Sequence, residues 1–204
     1  MILNQLFNCK DELSTSVSSY LRNKYYKKVF GKYGENIKFA NPMMIVNPKH
    51  IYIGDNVVIR SGIRLECIVK WKSRKYNPSL KIGKNVIIEQ NCHISCASSI
   101  EIKDNVLISS YAFITDLNHE YSQINEPIMK QGLIVKKTLI QENSFIGTGA
   151  KIMAGVTIGK HCIIGANSVV TKDIPDYSVV AGAPAKIIKC YNSETKEWLK
   201  VREL

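Results

Sequence analysis

Residues 140–171 read IQENSFIGTGAKIMAGVTIGKHCIIGANSVVT. Counted in sixes, Ile140, Ile146, Ile152, Ile158, Ile164 and Val170 fall on one register, all aliphatic. Four residues after the first five stand Ser144, Ala150, Val156, Cys162 and Ser168, all small or Val. Gly147, Gly159 and Gly165 directly follow three of the aliphatics. A six-residue period is not the 3.6 of a helix. It suits short strands that each turn one aliphatic inward and are broken by a turn every six residues, which is a β-solenoid. Small residues fit where the corners approach the axis, and Gly supplies the positive φ that tight corners use.

This run, with Ile164-Gly165-Ala166-Asn167-Ser168-Val169-Val170-Thr171-Lys172-Asp173-Ile174-Pro175 and then Val180-Ala181-Gly182-Ala183-Pro184-Ala185-Lys186, resembles the hexapeptide-repeat acyltransferases. The resemblance covers roughly Ile51 to Lys189. It implies an all-β fold, a left-handed parallel β-helix of about six coils. The handedness comes from the resemblance alone, since parallel crossovers are otherwise right-handed in nearly all cases.

The rest of the chain fits one domain with appendages. It has 204 residues and is 45% hydrophobic. No apolar run reaches the roughly 18 residues of a membrane span, and Met1 to Lys10 lacks the basic-then-apolar order of a secretion signal. Cytoplasmic residence is the expectation. Of six cysteines, Cys92 and Cys162 fall in the small inward slot and read as core thiols. No Cys-x-x-Cys pair occurs, so no metal site is expected. The net charge of +11 favours anionic partners such as coenzyme phosphates, acidic polysaccharide or lipid headgroups. No nucleic-acid signature accompanies it, so nucleic acid is not an expected partner.

In chain order, residues 1–34 read as an N-terminal helical segment. Leu13, Val17, Tyr20, Leu21, Tyr25 and Val29 recur at spacings of three and four from Asp11 to Tyr33. Ser14 or Ser16 could cap its start, and Gly31 or Gly34 its end. Its opposite face carries Arg22, Lys24, Lys27 and Lys28. Such a face suits peripheral association with a membrane, while packing over the open end of the solenoid would cover unpaired strand edges. Residues 35–190 form the solenoid domain, with excursions at 66–80 and 117–137 where the register breaks. Between them the register slips by two residues, from Ile100 to Ile102. Residues 191–204 read as a short C-terminal helix pinned by Trp198 and Leu199.

The chemistry gathers at the second excursion, which opens Thr115-Asp116-Leu117-Asn118-His119-Glu120-Tyr121. An imidazole is suited to deprotonating a hydroxyl at neutral pH. The resemblance implies that His119, which follows Asn118 where the loop begins, is the catalytic base. Asp116 or Glu120 would then orient its ring, and some family members use the adjacent acid in this way. No Gly-x-Ser-x-Gly elbow is present, as direct acyl transfer would allow. The resemblance further implies acetyl-CoA as co-substrate, with Ser109, Thr148 and Ala166 along the pantetheine arm. Thr171 and Lys172 would meet the distal end, and Lys186 and Lys189 would lie near the phosphates. Those last two stand where the family often has Arg, so the bidentate fork is lost.

Glu89 and His93 are the acceptor-side candidates. Family members of the galactoside and maltose type carry an acid at the position of Ala97, so this chain departs from a simple hexose site. The basic loop around Trp71 and the N-terminal helix look more like acetyltransferases of surface-polysaccharide and lipopolysaccharide gene clusters. The expected activity is O-acetylation of a saccharide hydroxyl by a homotrimer with sites between subunits. The alternatives are N-acetylation of an amino-sugar nucleotide and O-acetylation of serine. A zinc carbonic anhydrase on the same fold would need two histidines close in sequence, which are missing. A non-catalytic scaffold would not call for the loop histidine and the Thr-Lys-Asp ending.

Overall fold

The computed structural model describes residues 17–201. It is a parallel β-helix with a three-sided cross-section. Each turn lays down one short strand on each side, and each strand pairs in parallel with those one turn away. The first face is built from Lys32–Tyr33, Ile51–Ile53, Ser79–Ile82, Ser99–Ile102, Thr138–Ile140 and Thr157–Ile158, a six-stranded sheet. The third face is another six-stranded sheet, from Met44–Val46, Arg64–Cys67, His93–Cys96, Phe113–Thr115, Lys151–Ile152 and Val169–Val170. The second face starts with Lys38–Phe39, Val58–Ile59, Ile87–Ile88, Leu107–Ile108, Phe145–Ile146 and Ile163–Ile164, and three later strands extend it to nine. Six complete coils result, as the hexads require.

The register explains the spacing. Ile53, Ile82, Ile102, Ile140 and Ile158 stack in one column of the first face. Ile59, Ile88, Ile108, Ile146 and Ile164 stack in the second. Leu65, Ile94, Ile114, Ile152 and Val170 stack in the third. All are buried, each worth about 1.5–3 kcal/mol of transfer free energy. Ser144, Ala150, Val156, Cys162 and Ser168 fill the narrow slots between columns and are buried as expected. The slip between Ile100 and Ile102 is a four-residue strand that turns both inward.

The three edges differ, and that decides where function sits. Between the first and second faces runs an asparagine edge. Asn36, Asn56, Asn85, Asn105 and Asn143 all have positive φ, a conformation Asn tolerates better than most side chains. Each amide donates to the next, at 3.0–3.2 Å. His161 and Tyr177 continue the positive φ on this edge, and His161 is solvent-facing. Between the second and third faces runs an edge that carries small residues in its later coils, Ser109-Ser110, Gly147-Thr148-Gly149 and Gly165-Ala166, and between the third and first runs a loop edge from which both excursions leave.

Two ends depart from expectation. The helix spans Val17–Val29, and the proposed caps Ser14 and Ser16 lie outside the described residues. Its inward face is not the expected apolar stripe. Tyr20, Leu21 and Tyr25 are 68%, 56% and 60% exposed. Tyr26 and Phe30 turn inward instead and pack on Tyr33 and Phe39 of the first coil. Arg22 reaches the same coil, donating to the Phe39 carbonyl at 2.9 Å. The aromatic pair at i, i+4 buries more surface than the tyrosines on the other side.

The C-terminal helix is a β-hairpin. Ala185–Asn192 pairs antiparallel with Ser178–Gly182, and Glu197–Lys200 pairs with Ala185–Asn192. The Asn192 side chain accepts from the backbone N–H of Glu194 and Thr195 at 2.8 and 3.1 Å, which turns the chain back. Trp198 then lies opposite Tyr191, ring centroids 5.5 Å apart. An open sheet edge offers more hydrogen bonds to this segment than an isolated short helix could make.

Candidate active site

The first excursion is shorter than the sequence implied. Strand Arg64–Cys67 continues past the break, and the chain rejoins at Ser79–Ile82. Between them a small hairpin pairs Lys70–Trp71 with Arg74–Lys75. The second excursion begins as strand Leu117–His119, which pairs antiparallel with Leu133–Val135. On the turn between the excursions, the chain passes directly from His93–Cys96 to Ser99–Ile102.

The two excursions lock together. The Trp71 indole donates to the Gln131 carbonyl at 3.1 Å. Arg74 is ion-paired with Glu120, whose other oxygen accepts from the Gly132 N–H at 3.2 Å. The Tyr76 hydroxyl accepts from the Leu133 N–H at 3.0 Å. Gln131 is buried and ties its own loop, donating to the carbonyls of Gln123 and Glu126 at 3.0 and 2.8 Å. A polar cleft of about 390 Å³ lies between the excursions, with Trp71, Lys72, Arg74, Glu120, Gln123 and Lys130 among its walls. His119 is exposed and packs on Trp71, ring centroids 5.1 Å apart.

The acids expected to orient His119 are engaged elsewhere. Asp116 is fully buried. One carboxylate oxygen accepts from the Ala97 N–H and the other from the Ser98 N–H, each at 2.7 Å. It closes the tight corner between the excursions. It also sits 3.4 Å from the Cys96 thiol, whose pKa is pushed up by its contact with Cys67, by burial and by the Asp116 charge. Glu120 holds Arg74 and Gly132, as above. Among the described residues neither Asp116 nor Glu120 bonds the His119 ring; the Asp116 carboxylate ties the Ala97-Ser98 corner and Glu120 ties Arg74 and Gly132.

His93 does have a carboxylate. Its Nε2 lies 2.8 Å from Glu66, which also takes a 2.7 Å contact from Arg64, and Phe113 packs on the ring at 5.2 Å. Burial would raise the Glu66 pKa, but the hydrogen bonds from Arg64 and His93 outweigh it and hold the carboxyl below its usual value. Sequence reading places Glu66 in the excursion and misses this pair. The available signal is the continued alternation of Arg64-Leu65-Glu66-Cys67, with Leu65 and Cys67 buried. Glu89 stands at the small-residue edge, 3.7 Å from Arg60.

The coenzyme candidates divide between two edges. The Glu89 N–H bonds Ile108, the Ser109 N–H bonds Ile146, the Gly147 N–H bonds Ile164 and the Gly165 N–H bonds Val180. That ladder aligns Ser109, Thr148 and Ala166 along the small-residue edge. At its upper end Lys186 pairs with Ala181 and Lys189 with Val179. Thr171 and Lys172 follow strand Val169–Val170 and so lie on the loop edge, the edge that carries His119.

Comparison with known proteins bears on this geometry. Residues 137–172 match the family model described as bacterial transferase hexapeptide (six repeats). The chain is 34% identical to a probable acetyltransferase, Rv3034c, of Mycobacterium tuberculosis, over 74% of this chain and 53% of that protein. It is 32% identical to WbbJ of Escherichia coli K12, a putative lipopolysaccharide biosynthesis O-acetyl transferase, over 88% of this chain and 91% of that one. The chain belongs to the hexapeptide-repeat acyltransferases. Among solved structures, a single-substitution variant of AntD, a Bacillus cereus N-acyltransferase in complex with dTDP-4-amino-4,6-dideoxyglucose and coenzyme A, superposes with a TM-score of 0.70 at 22% identity, covering 85% of this chain and 90% of that one. The fold of this acyltransferase is thus the left-handed parallel β-helix. The chain spans only about half the length of the mycobacterial relative, at 53%. Among the described residues no helix is long and apolar enough to cross a membrane.

Proposed function

We propose that this acyltransferase transfers the acetyl group of acetyl-CoA to a saccharide hydroxyl, with His119 as general base. The acceptor would belong to a surface polysaccharide or its precursor. The observation that carries the reading is the exposed His119 imidazole, held against Trp71 on the same edge as Lys172. His119 takes the proton of the acceptor hydroxyl as its oxygen attacks the thioester carbonyl. The tetrahedral intermediate then expels the coenzyme thiolate, which recovers that proton. No covalent enzyme intermediate is needed. Lys172, Lys186 and Lys189 supply positive charge for the coenzyme phosphates. The likeness to WbbJ supports the saccharide acceptor. N-acylation of an amino-sugar nucleotide is the second reading, favoured by the likeness to AntD.

The site would form between copies of the chain. His119 and Lys172 lie on one edge and the small-residue groove on another, so a single chain holds only half the set at each. A homotrimer joins a loop edge to a neighbour's small-residue edge. Val58, Ile87, Leu107, Phe145, Ile163 and Val179 align on the outer side of the second face. A continuous apolar row of this kind suits burial against another copy. The cytoplasm is the compartment taken here, consistent with the free thiols of Cys67, Cys92, Cys96, Cys162 and Cys190.

The test is mass spectrometry of candidate glycans incubated with enzyme and acetyl-CoA, with His119→Ala beside the wild type. Loss of a general base lowers kcat by on the order of 10²–10⁴-fold, with coenzyme binding retained. Near-full turnover in His119→Ala, together with loss in His93→Ala, would move the base to His93.

A further inference from the structure

We infer that Trp71 is a positioning residue for His119, and that the first excursion exists to hold the catalytic loop in register. The inference rests on His119 being the base. The imidazole makes no side-chain hydrogen bond among the described residues, so nothing polar fixes its χ2. What limits its ring is the Trp71 indole, at 5.1 Å and 59°. Trp71 is itself immobilised by the bond from its Nε1 to the Gln131 carbonyl. Gln131 is buried and tied to Gln123 and Glu126. The hairpin carrying Trp71 is fastened to the same loop twice more, through Arg74–Glu120 and through Tyr76 and Leu133.

This arrangement orders the ring before substrate arrives, so that rotamer freedom is not lost during the reaction. Gly132 fits the scheme. A Cβ there would meet the Arg74 guanidinium and lie 2.9 Å from the Glu120 carboxylate, so these two side-chain ends would have to shift around it. Glu120 thus acts on His119 through Arg74 and the hairpin, rather than by bonding to its ring.

The chain has two tryptophans, which permits a direct test without any acceptor. In a Trp198→Phe background Trp71 is the sole indole. A protonated imidazole in ring contact quenches indole emission. Emission should therefore fall on acidification, once the imidazole in contact carries a proton. Substituting His119→Gln should abolish the step. Lys72, whose Nζ is 5.6 Å from the Trp71 centroid, together with Arg74 and Glu120, remains in both proteins, so the difference belongs to His119. A step that persists in His119→Gln, or no step at all, overturns the contact.

The functional arm compares Trp71→Leu with Trp71→Phe, using the acceptor identified by the glycan screen. Trp71→Leu should lower kcat on the order of 10–100-fold while the KM for acetyl-CoA holds. Trp71→Phe keeps an aromatic ring and should recover most of the loss. Gly132→Ala, which touches neither ring, should shift kcat in the same direction by less. An unchanged kcat in Trp71→Leu overturns the positioning role. Turnover surviving in His119→Ala defeats the general-base reading instead, and the emission step separates the two failures.

Discussion

Asp116→Asn distinguishes a structural tie from a catalytic partner. The Asp116 carboxylate is fully buried and receives the Ala97 and Ser98 N–H groups at 2.7 Å each. An asparagine keeps the shape but offers one acceptor oxygen. Its NH₂ must then face one of the two N–H donors, leaving that donor buried and unsatisfied. A charge-assisted bond lost and a donor stranded together cost about 2–4 kcal/mol. For a domain of this size each kcal/mol moves Tm by about 2–4 °C, so a fall of roughly 5–15 °C is expected. The assay pairs thermal denaturation followed by circular dichroism with initial rates at a temperature where the variant is folded. Under those conditions kcat should stay within about threefold of wild type, since on this reading Asp116 makes no contact with the reacting groups. An unchanged Tm with a hundredfold fall in kcat would refute the reasoning and return Asp116 to the role of His119's partner.

Two further expectations test the coenzyme site and the assembly. Lys172→Ala should weaken coenzyme A binding by about tenfold or somewhat more, the weight of a hydrogen bond to a charged group, as read by calorimetry. An unchanged dissociation constant removes Lys172 from the site. Phe145→Glu places a charge in the middle of the apolar row on the second face. Where the wild type sediments as the proposed trimer, the variant should sediment as a monomer and lose turnover with the fold retained. A monomeric wild-type protein with full activity would remove the shared site.

The solenoid is legible in the sequence because its geometry imposes itself on every coil. An inward aliphatic such as Ile146 or Ile152 must recur at every sixth residue, wherever a strand meets the axis, and neither a helix nor a plain strand has that period. His119 is marked in the sequence as the candidate base by its place at the loop's entrance and by likeness to a family, and its exposed contact with Trp71 is what the fold adds. What the sequence hides are contacts between distant segments. Trp71 and His119 meet only because their excursions leave the same edge, and no local period encodes that. The Glu66–His93 pair is hidden because the end of strand Arg64–Cys67 reads as the start of the excursion. The C-terminal hairpin escapes notice because Trp198-Leu199 suits a short helix when the unpaired edge of the second face is out of view. The helix face is misread for a similar reason, since Tyr26 and Phe30 gain their partners, Tyr33 and Phe39, only once the first coil exists.

The placement of the excursions has a consequence for how such a site can arise. Strands one turn apart in a β-helix are about 4.8 Å apart, so excursions separated by two turns start roughly 10 Å from each other. That distance lets an indole from one reach an imidazole on the other without distorting either coil. Excursions on adjacent turns would collide at their bases, and excursions on different edges would have a sheet between them. The intervening turn must then be tight, because any bulge there would fill the gap. Its corner is Ala97-Ser98, closed by the Asp116 carboxylate from the base of the second excursion. The residue at the base of the second excursion thus also closes the corner beside which the first excursion folds. An acid at position 116 thus holds the corner between the two excursions without bonding the His119 ring.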